Sequence, residues 1–479
     1  MSLSEYQAVS ASSMPREQSV TQRNRAIQLI LATVLALLLY YSWPLLEALS
    51  GYFFVIEPPR PILTQALLDD SALALSREEV PELNAAWRAD ISRRHRPIRS
   101  LVSDDFSDLA FLAPLLEGKR IVQLGEAMHG VAEFNLLKAR LVRYLHQELN
   151  YDVLLFESPM TACNAADRRL ANAPADSIMR ECLLGVWQTN EVLPLFEHAK
   201  AWKKTDKPLF IAGFDSQDLS PEVGFRFKKL LEIASPTLAS QVSLQEEQLK
   251  KEWRSGKPPD RQLAGAIQFY ADVAAQLEKN KSLLEASEFS APFEVAIAIR
   301  QAYSRKALLD QIAKRSDPTE SSRARDKVMA ENAAFLIDTV FRDRKVIVWA
   351  HNMHVAYTAE GERTPQPMGQ LLAEKRRPEM YTIGLYMRRG VIRFNGNSLY
   401  RLSIADKMPM ALMASAGRKV SFVDFSRVAP ARGTEWLFEP LTDTGWLFLW
   451  QPITLSTMYD AILYIDRVTP QQYLEREPH

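Results

Sequence analysis

Cysteine is almost absent from this chain: Cys163 and Cys182 are the only two in 479 residues. They have no histidine beside them and lie 19 positions apart, which makes a poor zinc signature. Spacing leaves open whether they form one disulfide or stay as two buried thiols. Net charge is lacking as well, because 58 Lys+Arg balance 58 Asp+Glu. No overall basic field draws nucleic acid, and no run of like charges marks a binding tail. Several catalytic signatures are also missing. Without Gly-x-Ser-x-Gly a conventional serine hydrolase is disfavoured. Without a Walker loop or Gly-x-Gly-x-x-Gly, so are nucleotide-dependent readings. Without His-Glu-x-x-His there is no zincin spacing.

Long apolar runs are absent with one exception, 26–46, which carries no charge. About 20 apolar residues suffice to cross a bilayer core as a helix. Tyr40, Tyr41 and Trp43 sit near one end as interfacial aromatics do. Arg16, Arg23 and Arg25 precede the stretch and only Arg60 follows closely, so the positive-inside rule keeps the amino terminus in the cytoplasm. Pro44-Leu45-Leu46-Glu47 offers no clear small-x-small cleavage site. The expected organisation is a cytoplasmic tail 1–25, a transmembrane anchor 26–46, a linker 47–62 stiffened by Pro58, Pro59 and Pro61, and an exported domain 63–479. The whole would be a single-pass inner-membrane protein with a periplasmic domain.

What remains is ordinary globular material, 47% hydrophobic and 24% charged. Short apolar runs at 121–124, 152–156, 208–212, 345–349 and 381–386 alternate with helical periodicity. Their unbroken apolar character suits strands buried on both faces. The expected fold is therefore α/β, a largely parallel central sheet flanked by helices. Shorter runs at 391–394, 420–425, 436–439 and 446–450 resemble strands that extend it antiparallel. A long insertion, about 220–342, is rich in Ala, Leu, Lys, Glu and Arg and reads as helices over the sheet.

Open α/β sheets bind ligands outside the carboxyl ends of their strands, and here those ends are polar. Gly125-Glu126-Ala127-Met128-His129-Gly130 follows the first run, Glu157 and Ser158 the second, Gly213-Phe214-Asp215 the third, and His351-Asn352-Met353-His354 the fourth. Glu126 and Asp215 also suit helix caps. Glu157 is harder to place that way, because a buried carboxylate is costly unless paired. A histidine beside a carboxylate can take a proton from water, the carboxylate fixing the tautomer and stabilising imidazolium. Glu126, His129 and Glu157 would form such a base system, with His351 and His354 polarising a carbonyl or protonating a leaving alcohol. The same imidazoles and carboxylates are chemically enough for zinc or manganese, so a metal remains an alternative.

These residues resemble the erythromycin esterase family. The resemblance is carried by Gly125–Gly130, Glu133-Phe134, Arg140, Arg143-Tyr144-Leu145, Glu148-Leu149, Phe156-Glu157 and Trp187-Gln188-Thr189-Asn190-Glu191-Val192. It continues in Gly213-Phe214-Asp215, Arg325-Asp326-Lys327-Val328-Met329-Ala330-Glu331-Asn332, Trp349–His354, Met368-Gly369 and Thr382-Ile383-Gly384. It implies a helical insertion on an α/β sheet and hydrolysis of a macrolide lactone without a required metal; the reaction expected of this chain is hydrolysis of a small ester or lactone with no cofactor. His129 is then the base, supported by Glu126, Glu157, His351 and His354, with Lys138, Arg140, Asp215 and Asn352 binding substrate. The family usually carries arginine where this chain has Lys138, which keeps the charge but loses the planar fork. Met128 stands where a Thr or Ser is common. A weaker likeness, through Gly-Glu-x-x-His, reaches metal-dependent peptidases of the TraB type. A non-catalytic envelope protein that binds a small ligand is the reading from another class.

Overall fold

The computed structural model describes residues 84–257, 263–287, 293–359, 365–394, 398–403, 409–444 and 450–475. All belong to one unit, Glu57–His479. The anchor expected at 26–46, its tail and its linker lie outside the described residues. Among the described residues no helix is long and apolar enough to cross a membrane.

Eleven strands are described, numbered in chain order: β1 (Arg96–Pro97), β2 (Ile121–Leu124), β3 (Tyr151–Pro159), β4 (Phe210–Asp215), β5 (Lys345–Trp349), β6 (Met380–Phe394), β7 (Ser398–Ser403), β8 (Val420–Asp424), β9 (Leu441–Thr444), β10 (Trp450–Ile453) and β11 (Ala461–Val468). The main sheet runs β1-β8-β11-β6-β2-β5-β3-β4, with β7 hairpinned onto β6. The block β11-β6-β2-β5-β3-β4 is parallel throughout, while β8, β1 and β7 add antiparallel edges. A parallel block of this kind must be covered on both faces, and the side chains alternate accordingly. Val122, Leu124, Leu154, Phe156, Ile347 and Trp349 enter one apolar layer. Ile121, Val153, Leu155, Val346 and Val348 enter the other.

The sheet differs from the sequence reading at several edges. The strand expected at 208–212 runs from Phe210 to Asp215, so Asp215 ends the strand itself. The run 391–394 is the end of the long β6 rather than a separate strand. The run 436–439 is not a strand: Glu435–Leu437 is a 3₁₀ turn, in which Trp436 is buried and its indole donates to Asp90 at 3.1 Å. Trp450 opens β10, which among the described residues pairs only with β9, in a separate small sheet, and 446–449 lies outside the described residues.

Between β4 and β5 the chain is helical, at Pro221–Ala234, Pro236–Ser255, Ala264–Lys279, Glu294–Ala313 and Pro318–Phe335. Proline opens three of these five, at a position where its missing N–H costs nothing. The insertion has its own core, built on Phe227, Tyr270, Val273, Leu308 and Ile312. The helix Pro318–Phe335 contributes instead to one layer of the sheet through Met329, Ala330 and Ala333. That contact brings its earlier turn over the carboxyl ends of β3 and β4.

Candidate functional site

The turn after β2 depends on two glycines. A Cβ on Gly125 would lie 2.0 Å from Asn352 Oδ1, and Gly130 adopts φ +89° with its absent Cβ 2.0 Å from the Arg393 carbonyl. The backbone is then tied to neighbouring strand ends: Ala127 N donates to Leu385 O at 2.9 Å and Asn352 N donates to Glu126 O at 2.8 Å. Glu126 is thereby held inside, 1% exposed, while His129, three residues on, is part exposed.

The buried Glu126 carboxylate receives three donors. His129 Nδ1 lies 2.6 Å and Trp187 Nε1 3.0 Å from Oε1, and Lys138 Nζ lies 2.9 Å from Oε2. Burial by itself raises a carboxyl, but Lys138 and His129 outweigh it and hold Glu126 at about 2. An ionised Glu126 accepts from His129 Nδ1–H. A neutral His129 therefore carries its lone pair on Nε2, the position a general base uses. The His129 side chain is 23% exposed, against 1% for Glu126.

His351 caps the short helix Asn352–Val355, its Nδ1 accepting from Met353 N at 3.2 Å. Burial, together with the neighbouring His129 and His354, holds it down at about 3. Its proton must therefore sit on Nε2. His351 is a neutral donor, not a base. Its ring lies 5.2 Å from that of His129, edge-on.

His354 is built differently. Nδ1 faces Asp326 Oδ1 at 2.8 Å and Nε2 faces Glu157 Oε1 at 3.3 Å. Burial lowers its proton affinity, but Asp326 and Glu157 overcome that and raise it to about 10. It is an imidazolium with both N–H groups committed. Arg325 joins the same group: Nη2 donates to Glu157 and Asp215, each at 2.7 Å. Its Nη1 approaches His354 Nε2 at 3.4 Å; between two cations this is a juxtaposition across Glu157, since neither side can accept. Glu157 Oε2 accepts from the His351 backbone N–H at 3.0 Å. Burial notwithstanding, His354 and Arg325 keep Glu157 well below the usual carboxylate range.

Glu126, His129, Glu157, His351 and His354 are thus brought together. The four residues expected to bind substrate are placed otherwise. Lys138 is wholly buried beneath Glu126, 3.2 Å from Ala350 O and 4.4 Å over the Trp349 ring. Burial draws its ammonium down to about 8 while Glu126 pulls it back. Arg140 is not at the site. Two positions from Lys138 on the helix Ala132–Leu149, it faces the other way. There it binds Asp108 at 2.6 Å and the Ser100 and Ser103 carbonyls at 2.8 and 2.9 Å. Asp215 is the counter-ion of Arg325. Asn352 spends its amide on both backbone groups of Leu385, at 3.0 and 3.2 Å, pinning its loop to β6.

Three side chains of this cluster escaped the strand-end reading: Trp187, Arg325 and Asp326. None follows a strand. All lie in sequence blocks that carried the family resemblance, which was the available signal. Four ring nitrogens that a metal could use are already engaged: His129 Nδ1, His351 Nδ1 and both nitrogens of His354. Among the described residues no group of three or more His, Cys, Asp or Glu is arranged to hold a metal ion. Cys163 and Cys182 are joined in a disulfide. It links the helix that follows Glu157 to the helix that leads into Trp187.

Comparison with known proteins bears on the family and the fold. The model of the family described as erythromycin esterase matches residues 146–468. A putative hydrolase of Bacillus subtilis, YbfO, is 28% identical over 440 residues, which cover 87% of this chain and 98% of that protein. Erythromycin esterase type I of Escherichia coli is 23% identical over 297 residues, 57% of this chain and 71% of that one. The crystal structure of a mutant of the erythromycin esterase EreC in its open conformation superimposes with a TM-score of 0.64 at 18% identity. The superposition covers 80% of this chain and all of that one, and at this identity it speaks for the fold.

Proposed function

Because the chain belongs to the erythromycin esterase family of hydrolases, we propose that it cleaves an ester or lactone bond with water activated by His129. The observation that carries this reading is the 2.6 Å contact of His129 Nδ1 with an ionised, buried Glu126 on a ring that is itself part exposed. Water gives its proton to His129 Nε2 as its oxygen adds to the carbonyl carbon, and Glu126 stabilises the imidazolium that forms. His351, neutral with its proton on Nε2, is the donor suited to the developing oxyanion. When the tetrahedral intermediate collapses, the carbon–oxygen bond breaks and the His129 imidazolium returns its proton to the leaving alkoxide. His354, both of whose protons are held by carboxylates, acts through position: it orders Glu157, which orders the His351 backbone. No metal is required by this scheme.

Small-molecule esters and lactones are the proposed substrates. Two observations favour an exported domain: the apolar stretch 26–46 with arginines before it, and the Cys163–Cys182 disulfide, a bond that persists in oxidising compartments. The test is His129→Ala in the full-length chain, assayed against a panel of macrolides and p-nitrophenyl esters. Turnover should fall by about 10³-fold or more with an unchanged melting temperature. A folded variant that hydrolyses its ester at near wild-type rate would sink the reading.

A further inference from the structure

Beyond β11, and beyond the stretch the family model matches, residues 469–474 connect the two loops that build the Glu126–His129 pair. Pro470 bridges Val131 and Tyr473 bridges Thr189, both antiparallel. Ala132 N donates to Thr469 O at 3.0 Å and Gln471 N to Gly130 O at 3.1 Å. On the other side Asn190 N donates to Gln472 O at 2.8 Å and Leu474 N to Gln188 O at 3.0 Å. Each flank has a carboxylate clamp. Glu133 accepts from Thr469 N and Oγ1, both at 2.8 Å, and Glu191 accepts from Gln472 N at 3.0 Å.

Gln471 stands at the centre of this strap and is 1% exposed. Its Oε1 accepts from Asn135 Nδ2 at 2.9 Å, on the helix that begins after His129, and its Nε2 donates to Val186 O at 2.8 Å. Its own carbonyl accepts from Arg393 Nε at 3.1 Å. Val186 immediately precedes Trp187 in the single 3₁₀ turn Gly185–Trp187. An element that short holds itself weakly, so outside contacts set where the indole lies. Trp187 needs that help, because it must keep a 3.0 Å bond to Glu126 and an edge contact to the His129 ring, centroids 5.2 Å apart. A displacement of about 1 Å would lose the hydrogen bond.

We propose that Gln471 is a positioning residue of the hydrolytic site: by tying Val186 to Asn135 it holds the Trp187 indole on Glu126 and so sets the strength of the Glu126–His129 pair. The inference rests on the reading of His129 as the base. The indole N–H shares the charge of Glu126. Without it, more of that charge falls on His129, and the protonated ring is favoured.

The test uses the full-length chain with ¹³C-labelled histidine, the His129 signal being assigned by its loss in His129→Gln. Gln471→Met, Trp187→Phe and the double variant are titrated by NMR and melted. Both single variants should move the His129 titration midpoint to higher pH, by about half a unit, and the double variant should move it no further. Should Gln471→Met fail to fold, Gln471→Asn, too short to join Asn135 to Val186 and free of added charge, must shift the midpoint in the same direction. A folded Gln471 variant that melts lower while its His129 midpoint stays at the wild-type value overturns the proposal, as do shifts that add in the double variant. Turnover of the panel ester by His129→Gln would overturn the base assignment alone, leaving the titration comparison readable.

Discussion

His129 and His354 each lie against a buried carboxylate at the carboxyl edge of one parallel sheet, yet the two rings are equipped for different work. His129 has one nitrogen on Glu126 and a side chain 23% exposed. His354 has both nitrogens on carboxylates, and its side chain is 5% exposed. The first assembly is open, and a proton can arrive and leave. The second is closed: His354 and Arg325 are held between Asp326, Glu157 and Asp215. A histidine–carboxylate pair is therefore not sufficient evidence of a base. The lone pair left over decides.

The comparison can be broken most directly at the carboxylates. Glu126→Gln should lower kcat by roughly 10²-fold, since the amide can still hold His129 but no longer stabilises imidazolium, and should also lower the melting temperature, because the buried Lys138 ammonium loses its counter-ion. Asp326→Asn should act on stability more than on turnover. It removes one partner of a buried ion pair, at a cost of roughly 3 kcal/mol in urea unfolding, and its effect on kcat should be the smaller of the two. If Asp326→Asn proves the more damaging to kcat in a fully folded sample, the division into open and closed assemblies is wrong.

A pH dependence sharpens the same division. His354 is raised from 6.5 to about 10 on folding. Its contribution to stability is fully present below pH 6.5 and is lost as pH rises through 10. Wild-type urea midpoints should therefore fall between pH 7 and 10 more steeply than those of Asp326→Asn. Parallel curves for the two proteins would refute the assignment of the alkaline loss to this ring.

A smaller effect is expected at Lys138. Burial draws its ammonium down to about 8, so kcat/KM should fall off on the alkaline side near that pH. Lys138→Arg replaces it with a group charged throughout the range, and the alkaline limb should move upward in the pH–rate profile. An unmoved limb would detach Lys138 from the titration. The smallest effect is expected from metal removal: dialysis against a chelator should leave turnover within about twofold. Loss of activity restored by zinc or manganese would return the metal reading to the site.

Much of this arrangement was legible in the sequence because a fully buried parallel strand writes an unbroken apolar run. Where the run stops, polar side chains must face the cleft, which located Glu126, Glu157, Asp215, His351 and His354. Trp187, Arg325 and Asp326 were not legible that way, because they arrive from a loop and from a helix of the insertion whose packing is non-local. Arg140 was misplaced for a geometric reason. Its neighbour Lys138 faces the site, but two steps along a helix turn a side chain to the opposite side. Asn352 reads as a site residue in a polar cluster, and only its amide contacts with Leu385 reveal a structural pin.

The sequence by itself determined the sheet's buried strands, the polar character of their ends and the family, because hydrophobic periodicity and local turns are short-range properties. Only the tertiary structure decided which histidine keeps an uncommitted ring nitrogen, which is held neutral and which is a locked cation. Those states depend on the second nitrogen of each ring, and its partner comes from residues as remote as Asp326 for His354, or from a backbone N–H, as for His351.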